Sequence, residues 1–254
     1  WRISGDSEPT LNRNIDVLIR SGQDAGIDMG LITNGVFLER LTTASALTYL
    51  GISLDATTSS TWSRLKRSPA SNFRKIIDNV KQVRQECPQL DICIKFVRFQ
   101  ADGSLSKNDF SNSLPVLDNS PSNQTGNEED AEQLDKFSRD LGCRPILKEA
   151  YPKGLADSYV FSRCNATPLG GVFDASHKFH LCCDARSVYV LTDDYTRDDW
   201  GELPALWGSE KHQQLIESII PRRCEGCAKR QVNEILQHVV MSSHCSSDYQ
   251  VNFI

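Results

Sequence analysis

Apolar residues recur with two alternating periods from the start of the chain to about residue 150. Leu11, Ile15, Leu18 and Ile19 share one helical face, predicting a helix over 12–21 that Gly22 and Gly26 punctuate. Met29–Ile32 is a short apolar run ending in Thr33-Asn34-Gly35, and Leu38, Leu41 and Leu47 resume helical spacing. Leu50–Leu54 is the next strand, ending in Asp55-Ala56-Thr57. Phe73, Ile76, Ile77, Val80 and Val83 predict a helix over 72–85, and Ile92, Ile94 and Phe96 mark one side of a strand over 90–99. Ala131, Leu134, Phe137 and Leu141 predict a helix over 128–141 before a last strand over 145–149. Strands alternating with helices predict βα units in an α/β fold with a parallel sheet or barrel, and ligands gather at the strand C-terminal ends of such folds.

The pattern stops over 101–127, which is rich in Ser, Asn, Asp, Gly and Pro with Phe110 its lone aromatic anchor. That composition favours an insertion or disordered loop over a lid. After about residue 150 the texture changes to short strands, turns and cysteines. Val172–Asp174 and Lys178–Leu181 read as a hairpin, followed by a helix over 209–219 and an amphipathic helix over 230–241 with Val232, Ile235, Leu236 and Val239 aligned. The expected domains are 1–150 and a smaller α+β, cysteine-rich 151–254.

The formal net charge of -5 gives a nucleic-acid partner no support. No apolar run approaches the length of a membrane span and no signal peptide opens the chain, so a cytoplasmic location is expected. Nine cysteines, an odd number in a chain of 254 residues, favour metal or cluster ligation over a disulfide framework. Cys164, the pair Cys182-Cys183 and Cys224-x-x-Cys227 supply four thiolates and one spare, a set that suits a [4Fe–4S] cluster or a structural zinc.

The opening stretch Gly5-Asp6-Ser7-Glu8-Pro9 follows a short apolar strand and leads into a helix. It resembles the Gly-Gly-Glu-Pro motif of radical S-adenosylmethionine (radical SAM) enzymes, with Ser7 standing where a glycine normally precedes the glutamate. Thr33-Asn34-Gly35 resembles that family's third-strand motif, and Ser53 and Asp55 its fourth-strand ribose contacts. The resemblance implies a partial (β/α) TIM-like barrel lacking its first βα unit, with S-adenosylmethionine bound by Gly5, Glu8, Asn34, Ser53 and Asp55. By the residues alone, Glu8 reads equally as a helix N-terminal carboxylate and Asp55 as an N-cap. Lys95 reads as a half-exposed lysine or a substrate contact.

The cysteines after residue 150 resemble the SPASM or twitch extension of the same family. That resemblance implies Cys164, Cys182, Cys224 and Cys227 as ligands of one auxiliary [4Fe–4S] cluster, with Cys183 a close rival to Cys182 and His177 in place of the usual hairpin glycine. No Cys-x-x-x-Cys-x-x-Cys, the family's catalytic cluster motif, occurs in the sequence, and Trp1-Arg2-Ile3 reads as mid-strand. Both point to a fragment, inactive alone, of an enzyme that makes a 5′-deoxyadenosyl radical. The family implies hydrogen abstraction from a substrate, a peptide or protein being matured ahead of a small metabolite, and an electron donor such as flavodoxin or ferredoxin. The rival expectation is a non-catalytic metal-binding scaffold holding zinc or iron–sulfur.

Overall fold

The computed structural model describes residues 1–5, 7–98, 126–149, 159–185, 188–196, 202–224, 227 and 229–241. The expected insertion, apart from Gly126 and Asn127, lies outside these residues, as do Asp6 and Cys245. The chain divides into two compact units that part near residue 150.

The first unit is a mixed α/β layer. Strands β1 (Arg2–Ile3), β2 (Gly30–Thr33), β3 (Tyr49–Ser53), β4 (Asp91–Arg98) and β5 (Arg144–Glu149) form one five-stranded sheet in sequential order. Every neighbouring pair is parallel. Helices α1 (Ile15–Asp24), α2 (Ser59–Lys66), α3 (Ala70–Glu86) and α4 (Glu128–Asp140) supply the crossovers. Side chains alternate across a strand, so register divides the sheet into two sides. Leu31, Leu50, Ile52, Ile92, Ile94 and Phe96 share one side and form a single core with Ile15 and Ile19 of α1, Phe73, Ile76, Val80 and Val83 of α3, and Leu134 of α4. Each such fully buried side chain contributes about 1.5–3 kcal/mol. Arg2, Tyr49, Gly51, Ser53, Cys93 and Lys95 lie on the other side.

One expectation fails here and one element was missed. The leucines at 38, 41 and 47 do not build a helix; they give two single 3-10 turns, Leu38–Arg40 and Ala44–Ala46. Between them, the Asp16 carboxylate accepts from the Thr42 and Thr43 N–H groups and the Thr43 hydroxyl at 3.0, 3.0 and 2.6 Å. Those bonds hold the backbone in a non-helical path. Helix α2 carries too weak a stripe to be read from the sequence, with Trp62 its one buried side chain; Thr58 caps it.

The second unit contains an antiparallel sheet, β6 (Val172–Phe173), β7 (Phe179–His180) and β8 (Val190–Thr192), with helices α5 (Glu202–Leu206), α6 (Glu210–Glu217) and α7 (Arg230–Met241). Its core is small: Phe179, Leu181, Leu191 and Ile216, with Tyr189, Leu206, Trp207 and Leu215 against them. On α7 the apolar face read from the sequence is not the buried one. Ile235 is 51% and Val239 41% exposed, whereas Asn233 is 0% exposed.

Candidate functional site

At the C-terminal edge of the parallel sheet, Glu8 fastens the β1 loop to the end of β2. Its Oε1 accepts from the Thr10 N–H, the Thr10 hydroxyl and the Thr33 hydroxyl at 3.0, 2.6 and 2.6 Å. Its Oε2 accepts from the Asn34 N–H at 2.7 Å. Pro9 opens the 3-10 turn that Glu8 caps, where a missing N–H costs nothing. Glu8 therefore performs the helix-capping role open to it by sequence, and Oε2, with one described donor, keeps a lone pair for a cationic ligand. The Thr33 hydroxyl also accepts from the Gly35 N–H at 3.0 Å. Gly35 has φ +82°, and a Cβ there would lie 3.0 Å from Ile76 Cγ2, so backbone conformation and packing both call for glycine.

Ser53 ends β3 and pairs in register with Lys95 of β4, so both face the side away from the helix-packed core. Burial pushes the Lys95 amine down to about 8, and repulsion from Lys148 and Arg2 adds to it. Asp55 lies beyond the strand with φ +60°, a conformation few non-glycine residues adopt. Its Oδ1 accepts from the Val97 N–H at 2.8 Å and its Oδ2 from Lys66 Nζ at 2.6 Å. It is not the cap of α2. That end is held by Asp130, whose carboxylate accepts from the Thr57 and Thr58 N–H groups and from the Thr57 and Thr61 hydroxyls at 2.6–2.9 Å. Asn127 Nδ2, at the start of α4, donates to the carbonyls of Asp55 and Val97 at 2.8 and 2.9 Å. Gly5 is exposed beside this edge.

In the second unit three of the four expected cysteines, Cys182, Cys224 and Cys227, have thiols moved from their ordinary range. Burial pushes the Cys224 thiol up to about 11 and the charges of Cys182 and Cys164 push it further. Burial likewise takes Cys227 up to about 12, with Asp184, Cys164 and Cys182 adding to it. A hydrogen bond from Cys183 lowers Cys182 to about 6 against its burial, and correspondingly raises Cys183. The Sγ atoms of Cys182 and Cys183 and a carboxylate oxygen of Asp184 lie within 4.8 Å of one another. That close group holds Cys183 as well as Cys182 and does not include Cys164, Cys224 or Cys227.

Two side chains not singled out in the sequence organise these sulfurs. The Tyr159 hydroxyl donates to the Cys224 carbonyl at 2.6 Å and accepts from the Cys227 N–H at 3.1 Å, bridging both ends of the Cys-x-x-Cys turn. Asn233 Oδ1 accepts from the Asn165 and Ala166 N–H groups at 2.7 and 2.9 Å. Its Nδ2 faces Cys164 Sγ at 3.6 Å and Cys227 Sγ at 3.9 Å. The available signal for Asn233 was its polarity within an amphipathic helix; nothing local marked Tyr159. Four cysteine sulfurs, Cys227 buried and the other three half-buried, with the Asn233 amide nitrogen facing two of them, supply the donor chemistry of an iron–sulfur cluster or zinc.

No protein-family model matches the chain, and no curated protein matches it. Among solved structures, SuiB of Streptococcus suis aligns over 83% of this chain and 56% of its own at 13% identity, with a TM-score of 0.47. A structure of TYW1 with a lysine-pyruvate adduct bound aligns over 58% of this chain and 40% of its own at 18% identity and a TM-score of 0.39. A radical SAM methyltransferase from Sphaerobacter thermophilus aligns over 56% and 48% at 16% identity and 0.33. The chain therefore spans about two fifths of the TYW1 chain. These likenesses fall below the level that establishes a shared fold.

Proposed function

We propose that this chain is part of a radical SAM enzyme whose second unit carries a four-cysteine iron–sulfur centre at Cys164, Cys182, Cys224 and Cys227. The observation that carries the reading is geometric: one Asn233 amide nitrogen lies 3.6 Å from Cys164 Sγ and 3.9 Å from Cys227 Sγ, which brings cysteines far apart in the chain to one side chain. In support of the S-adenosylmethionine half, Glu8, Asn34, Ser53 and Asp55 all belong to the C-terminal edge of one parallel sheet. Glu8 Oε2 would accept from the ligand's ammonium group, a charge-assisted bond. Ser53 would meet a ribose hydroxyl. Asp55 would do so while bound to Lys66, which leaves it the weaker contact. The cluster and S-adenosylmethionine supply electron transfer and hydrogen abstraction when bound; the chain holds them and shields them from water. These 254 residues contain no Cys-x-x-x-Cys-x-x-Cys, so binding rather than cleavage of S-adenosylmethionine is assigned to them.

The test is anaerobic reconstitution of the chain with iron and sulfide. The expected product is brown, carries about four irons, and loses its visible charge-transfer absorption when any of the four cysteines becomes alanine. With dithionite and S-adenosylmethionine it should release no 5′-deoxyadenosine. A colourless protein holding a single zinc would favour the scaffold reading, and turnover would refute the assignment of binding alone.

A further inference from the structure

We propose that Asn233 and Tyr159 are positioning residues that pre-form the four-cysteine centre and set the electronic character of its sulfurs; the inference rests on the metal-centre reading above. Asn233 is 0% exposed and is the one fully enclosed side chain among the described residues of α7. A buried amide needs partners for both ends. Its oxygen takes two successive backbone N–H groups, Asn165 and Ala166, immediately after Cys164. That fixes the path of the Cys164 segment against α7. With the oxygen so engaged, the amide nitrogen is left facing Cys164 and Cys227, residues far apart in the chain. An N–H group directed at a thiolate stabilises its charge, whereas the oxygen of a flipped amide would repel it.

Tyr159 does the complementary work on the Cys-x-x-Cys turn. One hydroxyl both donates to Cys224 and accepts from Cys227, which holds the turn at the separation of its two ends. The ring is itself fixed, stacked on Phe161 at 4.9 Å with the Arg230 guanidinium 5.8 Å from its centroid. Three of the four cysteines thus have their backbone or sulfur placed by these two side chains. Partners of this kind orient metal ligands, and their loss typically costs about 10–100-fold in affinity.

The probe is Co2+ alone, titrated anaerobically into the reduced full chain and followed by its thiolate charge-transfer band. Asn233→Asp keeps the oxygen that receives Asn165 and Ala166 while removing the N–H donors. Tyr159→Phe keeps the stacked ring while removing the bridge. Expected are one tight Co2+ in the parent chain, affinity about 10–100-fold weaker in both variants, and a band displaced to longer wavelength in Asn233→Asp, whatever the change in metal-free melting. Parent-like affinity and band in both variants, with binding still lost in Cys227→Ala, would overturn the inference and leave the metal centre standing. Lowered metal-free melting with an unaltered band would show a merely structural role and also overturn it. Absence of Co2+ binding in the parent chain, or binding that survives all four cysteine substitutions, would remove the metal-centre reading and the inference with it.

Discussion

A single carboxylate can tie distant segments together: Glu8 joins the β1 loop to the end of β2 and Asp130 joins α4 to the start of α2, every described bond coming from neutral donors. Removing Glu8 leaves the Thr10 and Asn34 N–H groups and the Thr33 hydroxyl without their acceptor. Glu8→Ala should therefore lower stability by about 2–3 kcal/mol, read as a reduced midpoint in urea unfolding. An unchanged midpoint would leave Glu8 with no structural role and strengthen its claim as a ligand contact. Asp130 adds a pH dependence. Burial works to raise its pKa, but the bonds from Thr61, Thr57 and Thr58 outweigh burial and hold it below the ordinary carboxylate value. A carboxylate depressed on folding stabilises above its unfolded pKa and loses that contribution as pH falls through the folded one. The contribution of Asp130 should be complete above about pH 5, begin to fall near pH 4 and continue below it. Asp130→Asn should be less stable than the parent at neutral pH and converge on it under acid, measured by urea unfolding across that range.

Among the elements, α4 shows how a helix becomes committed to a sheet edge. Its amphipathic stripe places Ala131 and Leu134 in the core, and that much follows from spacing. Its position along the strands is fixed instead by Asn127 and Asp130, which satisfy backbone groups after β3, near the end of β4 and at the start of α2. Asn127→Ala would remove the donor to a buried carbonyl, that of Asp55, and a part-buried one, that of Val97, and should cost about 1–3 kcal/mol, seen in the same unfolding experiment. The Leu38–Leu47 stretch teaches the converse. Helical spacing was present, but side-chain bonds from Asp16 to Thr42 and Thr43 gave the backbone another partner. On α7 the stripe was correctly amphipathic and wrongly oriented, because a polar residue turned inward to meet the cysteines.

For the molecule as a whole, the two units differ in what sustains them. The first encloses a continuous core from α1 through α4. Among the described residues the second has four buried residues in its cluster, a small apolar store for a domain. A metal bound only by the folded form adds stability by mass action. Calorimetry of the reconstituted chain should show two transitions, and a chelator should lower the one belonging to the second unit while leaving the other in place. A single transition insensitive to chelator would contradict this division.

Periodicity in the sequence determined the βα alternation, the parallel order it favours and the hairpin near residue 175, because burial of alternate or every third and fourth residue is a local rule. Spacing likewise exposed the Cys224-x-x-Cys227 pair. The partners of Glu8 and Asp55, the tie from Asp130 of α4 to the start of α2, and the reach of Asn233 from one helix to two cysteines were decided only in three dimensions. Each depends on backbone groups far apart in the chain meeting across packed elements, and a buried polar group takes whichever partner that packing brings within reach.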